Sequence, residues 1–91
     1  MSRLRLPPHR VDLDHHLGAR IRARRHELGQ SQVSLAGRLG TSFQQVQHYE
    51  RGVTRVSAAL LFDIAAAQGV EVGYYYEGFT ASAAAREGDA P

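Results

Sequence analysis

The sequence QVSLAGRLGTSFQQVQHYER, residues Gln32–Arg51, decides the fold, because it holds two short helical patterns separated by a brief break. Apolar residues recur at helical spacing in the first pattern: Val33, Leu35, Ala36 and Leu39. Gly40 follows at the point where many helices end on a residue with left-handed backbone geometry. The pattern therefore predicts a short helix that stops at Gly40.

A second helix is predicted to begin directly after this break. Ser42 has the side chain of a helix N-cap, and Gln45 stands three positions later, as in a capping box. Two helices joined by about three to four residues with a glycine in the turn are typical of the helix-turn-helix motif. The second helix of such a motif can enter the major groove of DNA.

The second helix divides into two faces when its residues are placed about 100° apart. Val46 points to one side, flanked by Phe43, Tyr49 and Glu50. The opposite face is polar and carries no acidic side chain: Gln44, Gln47, His48 and Arg51. Glutamine can pair with adenine through two hydrogen bonds, and histidine or arginine can reach guanine or phosphate. These residue types suit base recognition, while a plain solvated surface is the alternative, since polar outer faces are the rule.

The composition indicates one small domain. The 91 residues are 43% hydrophobic, which is enough for one modest core. The absence of cysteine excludes disulfides, thiolate metal sites and cysteine nucleophiles. Neither a signal-peptide core nor a long apolar segment is present. We therefore expect a soluble, cytoplasmic protein that is not associated with a membrane.

Charge is distributed unevenly along the chain. The net charge of +2 divides into +4 for residues 1–28, +2 for residues 29–59 and −4 for residues 60–91. The basic part contains the predicted motif, and the acidic part follows it. This asymmetry suits a module that places one side against phosphates.

The remaining segments complete the predicted organisation. Residues 1–14 are expected to be a flexible basic arm, residues 15–79 the folded domain, and residues 80–91 a disordered tail. The first helix is predicted from about His15 to Leu28. One side carries Leu17, Ala19 or Ile21, Arg24 or Arg25, and Leu28, and the other side carries mostly Arg20, Arg22 and Arg24.

A fourth helix, Ala58–Gln68, is predicted after the N-cap Ser57 and before Gly69. The segment Val72–Glu77 has residues that favour strands, but a single strand would have no partner, so a short fifth helix is preferred.

Little in the sequence supports catalysis, a cofactor or a metal. His9, His15 and His16 form a weak ligand set without a cysteine or a fixed scaffold. No nucleophile–base pair, carboxylate pair or glycine-rich phosphate loop is recognisable. We therefore expect neither an enzyme nor a bound cofactor.

The order of these motifs resembles the phage-repressor or Cro type of DNA-binding domain, the XRE family. The similarity runs through IRARRHELGQSQVSLAGRLGTSFQQVQHYERG and on to LLFDIAAAQGVEVGYYYEG, about two-thirds of the chain. The resemblance implies an all-α, five-helix, lambda-repressor-like domain with the helix-turn-helix as helices 2 and 3. It also implies a structural ion pair between Arg25 and Glu50, which links the first helix to the third.

The resemblance also implies which residues contact DNA. The base-contacting positions of the family fall on Phe43, Gln44 and His48, with Gln47 beside them. The phosphate-contacting positions fall on Gln32, Ser42, Arg51 and Arg55. Phe43 departs from the polar residue often present there, and it could touch a thymine methyl or close the edge of the core. Packing is the preferred interpretation.

These observations predict a sequence-specific regulator of transcription, a repressor, that binds double-stranded DNA as a dimer on an inverted repeat. The candidate dimer surface is aromatic: Tyr74, Tyr75, Tyr76 and Phe79. Packing of some of these rings against the fourth helix is an equal alternative. Two other functions stay open: an antitoxin that represses its own operon and binds a basic toxin through its acidic tail, and a protein-interaction adaptor that keeps the fold without specific DNA binding. A regulatory protein partner is thus a further expectation.

Overall fold

A computed structural model of the protein describes residues 8–79, with side chains from Arg10 onward. Four α-helices are followed by one 3-10 helix: α1 Pro8–Glu27, α2 Gln32–Leu39, α3 Phe43–Glu50, α4 Ala58–Gln68 and the 3-10 helix Val72–Tyr76. No strand occurs between residues 8 and 79. The predicted all-α fold is confirmed. The fifth helix is of the 3-10 type, which is common for pieces this short.

The first helix is longer than the sequence predicted. It begins at Pro8 rather than near His15, so residues 8–14 are helical and the prediction of a flexible arm was wrong for them. Proline is well tolerated in the first helical turn, because its missing N–H has no helical partner there. Leu13 packs against the core and stabilises this added part of α1. The rest of the predicted arm and the predicted tail lie outside the described residues.

The turn between α2 and α3 has the predicted geometry. Gly40 ends α2 with a φ of 70°, and its backbone N–H points to the carbonyl oxygens of Ala36 and Gly37 in the last turn of the helix. The Ser42 hydroxyl accepts a hydrogen bond of 3.2 Å from the backbone N–H of Gln45, and so caps α3. Local side-chain chemistry therefore sets the position at which α3 begins.

The core lies where the four α-helices and the 3-10 helix meet. Its buried apolar residues come from all five elements: Leu17, Ile21, Leu35, Ala36, Val46, Leu61, Ile64, Ala65 and Tyr75. Two residues predicted on apolar sides are instead exposed, Leu28 and Val33, and Val33 retains 66% of its accessible surface. The buried side of the short helix α2 consists of Leu35 and Ala36. Val33 lies outside that side.

Helix α1 approaches α3 so closely at Gly18 that their backbones touch. A Cβ atom at Gly18 would lie 2.8 Å from the carbonyl carbon of Glu50, and closer still to the carbonyl oxygens of Tyr49 and Glu50. Gly18 is buried in a helix, where glycine is otherwise unfavourable. Its lack of a side chain therefore sets the distance between α1 and the C-terminal end of α3.

Arg20 was predicted on the outer side of α1, which the structure corrects, and Arg24 was left open between the two sides. Arg20 donates to the carbonyl oxygen of Tyr74 at 3.1 Å, and its guanidinium carbon lies 3.9 Å from the centre of the Tyr74 ring. Arg24 donates to the carbonyl oxygen of Gln68 at 3.0 Å. Both side chains therefore connect α1 to the C-terminal part of the domain. Periodicity could not predict this, because the acceptors are backbone carbonyls.

A buried hydrogen-bond network surrounds Tyr75. The hydroxyl of Tyr75 donates to Oε1 of Gln68 at 2.7 Å, and Nε2 of Gln68 donates to the carbonyl oxygen of Ile21 at 3.1 Å. Tyr75 and Gln68 are both almost completely buried. Burial, with Tyr74 nearby, raises the pKa of the Tyr75 hydroxyl. The network joins the 3-10 helix, α4 and α1.

Replacing Tyr75 with phenylalanine is expected to lower the free energy of unfolding by about 1–3 kcal/mol, because Gln68 loses its buried donor. The wild-type protein should also lose stability above about pH 10, since tyrosine in the unfolded chain then releases its proton first. The Tyr75→Phe variant should show a smaller decline, because the other tyrosines are common to both proteins. Urea unfolding at about pH 8 and about pH 11 measures both effects. An equal decline in the two proteins would contradict the assignment to Tyr75.

Candidate nucleic-acid interface

Helix α3 presents the two faces that its helical wheel predicts. Val46, Tyr49 and Glu50 are buried against the rest of the domain. Gln44 and His48 are exposed, and Gln47 is partly exposed beside them. The exposed side of α3 therefore carries amide and imidazole groups and no carboxylate.

Phe43 is the first residue of α3, and a large part of it is accessible. It retains 42% of its accessible surface, and it belongs neither to the buried core nor to the apolar residues packed around it. The ring is therefore not part of the buried core, and the adjacent Gln44 is exposed as well. Packing of Phe43 at the edge of the core remains a prediction.

Arg25 and Glu50 form a bidentate ion pair between α1 and α3. Nε of Arg25 lies 2.7 Å from Oε2 of Glu50, and Nη2 lies 3.0 Å from Oε1. The side chains of Arg25 and Glu50 retain 11% and 3% of their accessible surface. Arg25 also donates to the carbonyl oxygen of Gln30 at 3.0 Å, just before α2 begins. The pair thus joins α1, the start of α2 and the end of α3.

Gln32 has a structural contact that the sequence did not reveal. Its Nε2 donates to Oε1 of Glu50 at 3.1 Å, so the amide belongs to the same buried group as Arg25. Residues 32 and 50 lie in different helices, and their spacing in the sequence carries no signal of this contact. Any contact of Gln32 with phosphate must use its remaining amide N–H or its backbone N–H.

Arg55 also has a partner that the sequence did not reveal. Its Nε and Nη2 both lie 3.1 Å from Oδ2 of Asp14, a residue of α1 that was predicted to be in the arm. The carboxylate of Asp14 offsets the positive charge of Arg55. The N–H groups of Arg55 that do not bond to Asp14 are the ones left for a phosphate. Arg51, the other arginine expected to contact phosphate, is exposed.

A surface cavity of about 470 Å³ lies between α1, the start of α2 and the end of α3. It is lined by Arg22, Arg25, His26, Ser31, Gln32, Gln47, Glu50 and Arg51. Its one carboxylate, Glu50, is already paired with Arg25. Within residues 10–79, Arg22 and Arg51 form no ion pair with a carboxylate, so the cavity carries net positive charge.

Arg22 and His26 were missed as interface residues by the sequence analysis. They stand four positions apart on α1, so they lie on one side of that helix. Arg25 lies three positions after Arg22, and its predicted pairing with Glu50 was the signal that this part of α1 lies near α3. Only the packing of α1 against α3 brings Arg22 and His26 beside Gln47 and Arg51.

Comparison with known proteins identifies the family. Residues 16–73 match the helix-turn-helix domain family. This chain is a helix-turn-helix protein. The matched residues include all of α2, α3 and α4 and most of α1, so the family assignment covers the interface described above.

Relatives of this helix-turn-helix chain are named as regulators of transcription. A transcriptional regulator in the ATPase CF(0) region of Rhodospirillum rubrum is 50% identical over 64 residues, which cover 70% of this chain and 59% of the relative. An HTH-type transcriptional regulator of Sinorhizobium medicae is 46% identical over 65 residues, which cover 71% of this chain and 47% of the relative. The chain thus spans about half the length of these relatives.

Solved structures also resemble the fold. A crystal structure of the clp gene regulator ClgR from Corynebacterium glutamicum has a TM-score of 0.70 and 32% identity, and the match covers 86% of each chain. A second crystal structure of ClgR has a TM-score of 0.67 and 29% identity, covering 87% of this chain and 94% of the ClgR chain. The helix-turn-helix architecture is therefore shared with a structurally characterised regulator.

The predicted aromatic dimer surface is largely occupied within the helix-turn-helix domain. Tyr75 is fully buried, Tyr74 lies under Arg20, and the Phe79 ring lies 5.5 Å from the His16 ring. Tyr76 retains 44% of its accessible surface. Tyr75 is therefore excluded from a surface contact, and Tyr76 is the most accessible of the four.

The described part of the chain lacks two further kinds of feature. No helix there is both long and apolar enough to cross a membrane. Residues 10–79 also contain no group of three or more side chains placed to hold a metal ion.

Proposed function

We propose that this chain is the DNA-binding unit of a transcriptional repressor that binds double-stranded DNA as a dimer, on an inverted-repeat operator. The observation that carries the proposal is the exposed side of α3, where Gln44 and His48 stand without a carboxylate. The buried pair of Arg25 and Glu50 holds the other side of α3 in place. Rigid support of this kind suits a helix that must read base edges.

Gln44, Gln47 and His48 are the proposed base-reading residues, together with Phe43. The N-terminal part of a recognition helix contacts base edges in the major groove. Glutamine can bond two groups of adenine, and histidine can reach guanine, so Gln44 and His48 supply sequence preference. Gln47 is only partly exposed and lines the basic cavity, which supports a proposed position between the base contacts and the backbone contacts.

The basic cavity is the proposed site of backbone contact. Arg22 and Arg51 bring positive charge that no described carboxylate neutralises, and a DNA phosphate would supply the missing anion. Ser42 and Gln32 stand at the starts of α3 and α2, where free N–H groups can donate to a second phosphate. Arg55 contributes through the N–H groups that Asp14 does not use.

Dimerisation follows from the size of the reading surface. One helix contacts about three or four base pairs, which is too few to select a site in a genome, so two copies on a twofold-symmetric site are expected. The exposed Tyr76 is the candidate contact between copies that remains from the aromatic segment.

Selection of bound sequences from a random duplex pool at about 0.15 M salt tests the proposal. Enrichment of an inverted repeat, with half-sites about one helical turn apart, is the expected result. Folded protein that enriches no sequence would contradict the proposal. It would favour a protein-interaction adaptor that has kept the fold.

Gln44→Ala and His48→Ala are each expected to weaken binding to the selected site by about 1–3 kcal/mol, because a base contact is lost. Binding to unrelated duplexes should change little. The matched variant Arg22→Ala should weaken binding to all duplexes alike and reduce the slope of log affinity against log salt by about one. Titrations at several salt concentrations separate the two patterns. A Gln44→Ala variant with unchanged preference for the selected site would remove Gln44 from the reading set.

A further inference from the structure

Phe43 is an exposed aromatic residue at the end of α3 that enters DNA in the proposed function. Its ring is outside the core, and no described aromatic or cationic partner covers it. Its neighbour Gln44 is exposed on the same end of the helix. A large part of this apolar side chain is therefore accessible to a contact from outside the domain.

The position of Phe43 on α3 brings it close to the bases. Side chains of an α-helix lean toward its N-terminus, and the N-terminal residues of a recognition helix reach base edges. Phe43 is the first residue of α3, directly after the N-cap Ser42. Phe43 therefore stands at the end of α3 that also carries the proposed reading residue Gln44, and a large part of it is accessible.

The chemistry of the ring restricts what it can recognise. Phenylalanine has no hydrogen-bond donor or acceptor on its side chain. Among the groups that base pairs present in the major groove, the C5-methyl of thymine is the apolar one. An apolar side chain can therefore distinguish base pairs there by covering or not covering that methyl.

We propose that Phe43 packs against the C5-methyl group of a thymine in each half-site, and so makes one position of the operator selective for thymine. The inference rests on the proposed function, because it needs α3 to lie in the major groove. The methyl contact adds a source of sequence specificity that hydrogen bonding by Gln44 and His48 does not supply.

Single replacement of thymine by deoxyuridine in the selected duplex tests the inference. Uracil keeps all hydrogen-bonding groups of thymine and lacks the methyl. At one position of the half-site, the replacement is expected to weaken binding by about fourfold, the effect of one buried methyl group. Replacement at the other thymines of the half-site should change the affinity much less.

Variants of Phe43 assign the methyl effect to this residue. Phe43→Ala should weaken binding to the thymine duplex, and its affinity should then be the same for thymine and deoxyuridine at that position. Phe43→Leu should retain part of the difference, since leucine is also apolar. Gln44→Ala is the matched control on the adjacent residue, and it should keep the full difference although its affinity is lower. Unfolding midpoints of all three variants verify that the domain is folded.

The possible results separate this inference from the proposed function. If no specific sequence is selected, the proposed function fails and the inference fails with it. If a specific site is selected but no thymine shows the methyl effect, or the effect persists in Phe43→Ala, only the inference is overturned. Coupling between Phe43 and one thymine methyl supports both.

Discussion

Replacing Arg25 with methionine is expected to lower the free energy of unfolding by about 3–5 kcal/mol, the largest effect of any substitution considered. The carboxylate of Glu50 retains 3% of its accessible surface, and without Arg25 it would be left with Gln32 as its side-chain donor. Loss of one partner leaves a buried charge uncompensated, which costs more than the pair contributes. Urea unfolding at neutral pH measures the change.

Two control variants test whether the cost of Arg25→Met arises from leaving a buried charge unpaired. Glu27→Gln removes the pair of Arg24 and Glu27, in which Glu27 is largely exposed, and should change stability by less than about 1 kcal/mol. The double variant Arg25→Met with Glu50→Leu removes both charges and should recover much of the loss, since no buried charge stays unpaired. A cost for Arg25→Met no greater than that for Glu27→Gln would contradict the structural role of the pair.

Replacing Gly18 with alanine is expected to lower the free energy of unfolding by about 1–3 kcal/mol, although alanine is the better helix former. The added methyl would overlap the carbonyl groups of Tyr49 and Glu50, so α1 and α3 must move apart. That movement would also lengthen the contacts between Arg25 and Glu50, which join the same two helices. The affinity of Gly18→Ala for DNA should also be lower than that of the wild-type protein, because α3 is displaced.

Gly37→Ala is the matched control for this substitution. Gly37 also lies within a helix, but a Cβ there would meet no atom within 4 Å. Alanine should therefore stabilise the protein at this position by up to about 1 kcal/mol, through helix propensity alone. Opposite signs for the two glycine-to-alanine changes, measured by thermal or urea unfolding, would attribute the effect at Gly18 to the close approach of α1 and α3. Equal effects at the two positions would contradict that explanation.

The candidate interface was only partly predictable from the sequence. The exposed placement of Gln44 and His48 follows from the period of α3, because neighbouring residues of one helix determine its faces. Arg22 and His26 gave no comparable signal, since their proximity to Gln47 depends on how α1 packs. The degree to which Phe43 is exposed was not predictable from the period of α3, which places this residue beside Val46, because it depends on how other elements cover that end of the helix.

The sequence by itself determined α2, α3, α4 and the turn between α2 and α3. Periodicity, the left-handed Gly40 and the cap at Ser42 act among residues within about four positions, so they can be recognised without a structure. Only the tertiary structure decided which polar groups meet, such as Arg55 with Asp14, 41 positions away, and Gln32 with Glu50, 18 positions away. Those contacts depend on how far apart the helices pack and in which rotation. The distance between α1 and α3 is set at Gly18, because the backbones can touch there only if the residue has no side chain.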